Sequence, residues 1–137
     1  MKLNKVKAGI VGLGLVSHSH IEAFRSHAGA EIIAVCDINE AWAKAQSEKY
    51  GIPRYYTSYD EMLKNKEINT IDIITPTFLH TPMAIAAAKA GKHIHCEKPF
   101  CLTLEGGLAA CAEAEKQGVS LMVGESFLFI SPIMKAR

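Results

Sequence analysis

Two glycines one residue apart, Gly12 and Gly14, separate a short apolar run from a helix-compatible stretch. No other feature restricts the fold of this chain as much. The run Val6–Val11 reads as a buried strand, and residues 15–28 read as a helix that Gly29 is placed to end. A strand that turns into a helix through Gly-x-Gly needs one glycine for the tight bend. The other lets the backbone come close to a second body. Ser17 stands where the third glycine of a G-x-G-x-x-G turn would stand, and it is small enough for close helix–strand packing.

The same alternation continues. Residues 31–36 form a second β-rich run, and Asn39 is placed to cap a helix that ends at Gly51-Ile52-Pro53. Arg54–Tyr56 is a short third strand. Ser58 and Glu61 make a capping box. A fourth strand spans residues 71–74. Thr81 is expected to cap the next helix, with Pro82 at its first position and Gly91 at its end. His93–Cys96 is the fifth strand, residues 103–117 a helix before Gly118, and residues 119–123 the sixth strand. Six apolar strands joined by helical crossovers predict an α/β fold with a doubly wound, mainly parallel six-stranded Rossmann sheet. The expected division is residues 1–123 as the dinucleotide-binding domain and 124–137 as the start of an inter-domain segment.

Composition sets limits. With 137 residues, 49% hydrophobic and 21% charged, the chain fits one domain with a real core. A net charge of +1 demands no basic face, so nucleic acid is not an expected partner. Lys2, Lys5 and Lys7 before an apolar run imitate a signal peptide, but Gly9, Gly12 and Gly14 interrupt the run and no cleavage site follows. No stretch reaches membrane-spanning length. Cys36, Cys96, Cys101 and Cys111 match neither zinc nor redox spacing. They read as reduced, mostly buried thiols of a cytoplasmic protein.

The chemistry expected at the glycine turn is anion binding. Free N–H groups and the positive end of the helix dipole suit a pyrophosphate, so Gly12, Leu13, Gly14, Leu15 and Val16 are expected to contact one. Asp37 ends the second strand 23 residues after Gly14, close to the roughly 20-residue separation of dinucleotide folds. Its carboxylate can accept from ribose hydroxyls and would repel a 2′-phosphate. Ile38 follows, with no arginine to balance that phosphate. The expected cofactor is NAD, with NADP disfavoured.

These residues together resemble the N-terminal domain of the glucose–fructose oxidoreductase and inositol dehydrogenase family (Gfo/Idh/MocA). The resemblance rests on Gly12-x-Gly14 followed by His20, on Ala34-Val35-Cys36-Asp37, on Thr75-Pro76-Thr77-Phe78-Leu79-His80, and on Ala90-Gly91-Lys92-His93 leading into Cys96-Glu97-Lys98-Pro99. It implies that Thr75, Pro76 and Thr77 border the cofactor at the strand ends, with Thr77 in place of a frequent Asn. It implies that His80 orients this loop beside the cofactor, although a purely structural histidine fits as well. In the family the lysine of Glu-Lys-Pro lies beside the nicotinamide, which makes Lys98 the candidate catalytic residue. Glu97 would contact the cofactor or set the lysine's charge state, and Pro99 would follow a cis peptide bond. The implied activity is hydride transfer between nicotinamide and a sugar, polyol or related hydroxyl.

Such enzymes carry a second α/β domain that binds substrate, and that domain lies outside these 137 residues. Alone, the chain is expected to bind cofactor with little or no turnover. Its end at Arg137, with Lys135 and Arg137 as tryptic sites, reads as a fragment. Self-association through the face left without that domain is plausible. A non-catalytic nucleotide-binding module, a sensor or assembly subunit, is the alternative; it would have no need of Glu97-Lys98-Pro99. No metal site is expected. His18 and His20 point to different faces of a helix, and His93 and His95 share a strand face, with no carboxylate or cysteine seen to complete a set. Trp42, Tyr50, Tyr55 and Tyr56 read as packing residues, and His27 as solvated.

Overall fold

The structure, a computed structural model, describes residues 5–125. The elements are β1 (Val6–Val11), α1 (Ser17–Ser26), β2 (Ala30–Cys36), α2 (Glu40–Tyr50), β3 (Arg54–Tyr56), α3 (Tyr59–Leu63), β4 (Thr70–Ile73), α4 (His80–Lys89), β5 (His93–Cys96), α5 (Leu104–Gln117) and β6 (Leu121–Val123). A 3-10 turn, Thr77–Leu79, leads into α4. The strands form one all-parallel sheet in the order β3-β2-β1-β4-β5-β6. This is the doubly wound Rossmann arrangement. The strand order reverses between β1 and β4, and ligands of open α/β sheets bind at that reversal, beyond the strands' carboxyl ends.

Two cores sit on opposite faces of the sheet, because successive strand residues point to opposite sides. Ile10, Ile32 and Val35 pack with Leu13, Ile21, Ala43, Tyr50 and Ile52 under α1 and α2. Val11, Ile71, Ile73, Ile94 and Cys96 pack on the other side with Ala84, Ala87 and Ala88 of α4 and Ala110 and Ala114 of α5. Alanine at these helix positions brings α4 and α5 close to each other. Each fully buried isoleucine stabilises the fold by about 1.5–3 kcal/mol relative to exposure. Lys92 is also buried, and its ammonium donates to the carbonyls of Asn65 (2.8 Å) and Ile68 (2.7 Å). Burial lowers its pKa below the ordinary lysine value.

Local chemistry accounts for most element ends. Asn39, Ser58 and Thr103 cap α2, α3 and α5 by accepting from Trp42, Glu61 and Gly106 N–H groups. Gly51 and Gly118 close α2 and α5 at φ +64° and +66°, a region that favours glycine. Several expectations need correction. α1 is shorter than residues 15–28: residues 14–16 remain in the turn, and the helix ends at Ser26, before Gly29. Thr81 does not cap α4. The 3-10 turn carries the chain into the helix first, so the helix begins at His80 with Leu79 at its cap. The capping box is half formed, since the Glu61 carboxylate takes Lys64 at 2.6 Å. β4 lies one residue earlier than expected, and β6 loses residues 119 and 120 to the loop. Of the expected inter-domain segment, residues 126–137 lie outside the described residues.

Candidate cofactor site

Strand register builds the site. Val11 pairs with both Cys36 and Ile73, Ile73 pairs with Cys96, and Cys96 with Val123. These residues form one row at the sheet's carboxyl edge. The residue after each is Gly12, Asp37, Ile74, Glu97 and Gly124. Segments far apart in sequence therefore leave the sheet side by side.

Gly12 makes the bend. Its φ is +91°, and a Cβ there would lie 2.8 Å from the Ile74 carbonyl carbon and the Thr75 nitrogen. Gly14 differs: it is exposed, and a Cβ on it would meet nothing within 4 Å. Its bareness serves the outside of the turn and not the packing of the chain. Leu15 and Val16 are exposed as well, at 98% and 53%, whereas the Leu13 side chain is buried in the core. Ser17 replaces the third glycine without strain, because its hydroxyl donates back to the Gly14 carbonyl at 2.7 Å. α1 has no side-chain cap at Val16, so the positive end of this helix is left to solvent or a bound anion.

Asp37 grips this turn. Its Oδ2 accepts from the Leu13 N–H and its Oδ1 from the Asn39 N–H, both at 2.9 Å. A carboxylate oxygen has two lone-pair directions, so each retains capacity for a hydroxyl donor. Ile38 is 95% exposed and offers no charge beside it. Trp42 is half exposed, and its indole N–H donates to the Leu13 carbonyl at 2.7 Å. The Leu13 peptide is thus held at both ends. Trp42 is a clamp on the turn, not the packing residue expected from sequence.

On the other side of the reversal, Thr75, Pro76 and Thr77 leave β4. His80 is buried, with Nε2 2.7 Å from the Thr75 carbonyl and Nδ1 2.9 Å from the Pro99 carbonyl. It ties the loop after β4 to the loop after β5. Both of its ring nitrogens face the protein's own backbone. The Lys98–Pro99 peptide is cis. Lys98 is exposed, and its ammonium has no ion-pair partner among the described residues. The Glu97 carboxylate accepts the Lys98 backbone N–H at 3.0 Å through Oε2.

Sequence reading missed Asp72. This carboxylate is wholly buried in β4, and its oxygens lie 2.8 Å from His20 Nδ1 and 2.7 Å from His95 Nδ1. His20 Nε2 in turn lies 3.2 Å from Glu97 Oε1. The expectation that no carboxylate joins the histidines is therefore wrong: the partner comes from the neighbouring strand, opposite His95 in the register. An aspartate set among isoleucines in a buried strand was the available signal, because a buried charge needs partners. Burial disfavours the His20 cation, but the Asp72 and Glu97 carboxylates outweigh it and raise the His20 pKa above the ordinary histidine value. Burial likewise pushes Asp72 upward, and hydrogen bonds from His20 and His95 outweigh it and hold the carboxyl below its usual range. The cysteines are free, and burial foremost pushes the Cys36 and Cys96 thiols up to about 12.

Two concavities flank α1. A cavity of about 520 Å³ lies beside the turn, bordered by Gly14, Leu15, His18 and Trp42. A larger one, about 600 Å³, lies on the other side of α1 and reaches Glu97, but none of residues 12–16, Asp37 or 75–77. The cofactor reading rests on the backbone geometry of the turn and not on cavity size.

A glycine bend at an uncapped helix, an acidic residue gripping it, and a strand-order reversal are the marks of a dinucleotide-binding Rossmann domain. The chain belongs to the family described as "Oxidoreductase family, NAD-binding Rossmann fold" (GFO_IDH_MocA), which it matches over residues 6–125. It is 37% identical over 125 residues to a D-apiose dehydrogenase of Paraburkholderia graminis, covering 91% of this chain and 33% of that protein. It is 33% identical over 125 residues to an inositol 2-dehydrogenase of Salmonella typhimurium, covering 90% and 37%. Among solved structures it resembles the WlbA dehydrogenase of Bordetella pertussis, in complex with NADH and UDP-GlcNAcA. That match has a TM-score of 0.90 and 30% identity, over 96% of this chain and 40% of that one. The chain spans about a third of the length of the curated relatives it matches. Among the described residues no helix is long and apolar enough to cross a membrane.

Proposed function

We propose that this chain seats NAD across the carboxyl edge of its sheet, as the cofactor half of an oxidoreductase acting on a sugar, polyol or related hydroxyl compound. One observation carries the reading: Asp37 Oδ2 accepts from Leu13 N at 2.9 Å, placing a carboxylate with spare acceptor capacity against an anion-binding turn. Backbone N–H groups at Gly14, Leu15 and Val16 would meet the pyrophosphate, and Asp37 the adenosine ribose. The Asp37 charge, with Ile38 beside it, disfavours a 2′-phosphate. Thr75, Pro76 and Thr77 would border the nicotinamide end. His80 positions their loop against Pro99.

Bound NAD would supply the hydride acceptor or donor. The chain's own contribution is Lys98, whose ammonium can donate to a substrate hydroxyl oxygen and stabilise the negative charge that develops on it. Glu97 holds the Lys98 backbone. Residues 1–123 form the cofactor domain, and the segment after them leads toward the substrate-binding part of the protein. By itself the domain binds cofactor and turns substrate over slowly or not at all, because hydride transfer needs both partners held together. The cytoplasm, where thiols stay reduced, suits its four free cysteines. Calorimetric titration with NAD and NADP tests the reading. Saturable binding with NAD preferred is expected, and a folded chain indifferent to both nucleotides would refute it.

A further inference from the structure

The cofactor reading does not use Asp72, His95 or the side chain of His20. Asp72 is an unusual group for a strand centre, a carboxylate with no exposed surface whose hydrogen-bond partners are two imidazoles. Among the described residues no lysine or arginine pairs with it. An ionised carboxylate only accepts hydrogen bonds. His20 has a carboxylate oxygen against each ring nitrogen, Asp72 Oδ2 at 2.8 Å and Glu97 Oε1 at 3.2 Å. Both nitrogens donate when the ring is an imidazolium. One cation then serves two carboxylates, and His95 adds a third donor from β5 at 2.7 Å.

The hydrogen bonds continue outward. Glu97 Oε2 accepts the backbone N–H of Lys98 at 3.0 Å. A connected path thus runs His95–Asp72–His20–Glu97–Lys98, from the sheet interior to its carboxyl edge. Gly124 leaves room for it: a Cβ there would stand 3.1 Å from Glu97 Oε1 and 3.3 Å from His95 Nε2. His20, His95 and Glu97 border the 600 Å³ cavity, so the path reaches a surface where protons can exchange.

We propose that His20 is a positioning residue: as an imidazolium it bridges Asp72 and Glu97, and through Glu97 it holds the backbone of Lys98. Its meaning for catalysis rests on the reading of Lys98 given above. The titratable groups that face the ring are Asp72 from β4, His95 from β5, with ring centroids 5.7 Å apart, and Glu97 from the loop after β5. His27 lies just past the end of α1, exposed and accepting from the Gly29 N–H. The raised His20 pKa and lowered Asp72 pKa agree with this charge assignment. His20, Asp72 and His95 also offer ligand atoms within 4.8 Å of one another, which makes a divalent metal the competing occupant.

The test is a nitrogen-15 NMR titration of the full chain without cofactor, treated with chelator. Both His20 ring nitrogens should carry protons at pH 6, and the ring should lose one only above the ordinary histidine value of 6.5. The Lys98 backbone amide should follow the same curve. Glu97→Gln leaves the buried His20–Asp72 bond in place and should fold normally. It should lower the His20 midpoint and abolish the response at Lys98. His20→Asn should abolish it too, with Asn retaining a donor for Asp72. A His20 ring with one proton at pH 6, or a Lys98 amide unmoved through the His20 transition, overturns the proposal. So does stoichiometric Zn²⁺ binding that removes the His20 Nδ1 proton, the one facing Asp72. NAD calorimetry on the same sample keeps the two readings apart. A chain that shows the coupled titration without binding NAD sinks the cofactor reading alone, and the reverse result sinks this one alone.

Discussion

The backbone N–H of Leu13 donates to Asp37 Oδ2 at 2.9 Å, across 24 positions of sequence. The group that would recognise a ribose thus also shapes the turn that would recognise a phosphate. Asp37→Asn tests the two roles together. An amide oxygen can still accept from Leu13, while the negative charge is lost. Hydrogen bonds to charged groups contribute about 1.5–3 kcal/mol, so NAD affinity should fall about 10- to 100-fold by calorimetry. Discrimination against NADP should narrow, and the urea midpoint should change little.

Gly12 and Gly14 should respond in opposite ways. Alanine at Gly12 meets the β4 backbone at 2.8 Å from a φ of +91°, so Gly12→Ala should cost about 3 kcal/mol or more of stability. Gly14→Ala faces open space and should leave stability within about 1 kcal/mol. It should still weaken NAD binding more than tenfold, because the methyl stands where a phosphate must approach. Urea unfolding and calorimetry on both variants separate a folding glycine from a binding one.

His80→Ala should act on stability first. It removes a buried ring and strands the Thr75 and Pro99 carbonyls. A cost of about 2–4 kcal/mol is expected in urea unfolding, with amide exchange accelerating in the loops after β4 and β5 before it does in β1.

Lys98→Met should be silent in the isolated chain, since Lys98 is exposed and such changes stay within about 0.5 kcal/mol. In the whole protein it should lower kcat by about 10²- to 10⁴-fold while leaving NAD affinity within a few-fold. Unchanged turnover would remove Lys98 from the chemistry.

The Asp72–His20 pair makes stability depend on pH in both directions. Asp72 has a depressed folded pKa, so its contribution is present above the unfolded value of 3.8 and is lost as pH falls through the folded value. His20 has a raised folded pKa, so its contribution is present below 6.5 and is lost as pH rises through the folded value. Unfolding free energies of the native chain and His20→Asn should therefore differ most between pH 3.8 and 6.5, with the difference shrinking on the alkaline side. A difference that grows with pH would contradict this assignment.

What the sequence determined by itself is what short-range physics encodes. β1, β3 and β5 begin and end where apolar alternation and flanking turn residues place them, and Asn39, Gly51 and Gly118 act on neighbours three or four residues away. The position of Asp37, just after β2 and beside the glycine turn, was legible because the βαβ unit imposes its spacing, whereas its bond to Leu13 was not. Only the tertiary structure decided the start of α4, where the 3-10 turn from Thr77 brings His80 under the Pro99 carbonyl. The same holds for Trp42 on Leu13 and for Asp72 between His20 and His95, contacts that span 29, 52 and 23 positions. Such partners meet only because strand register and helix placement bring distant segments together, and a buried charge in β4 does not state in one dimension which element will neutralise it.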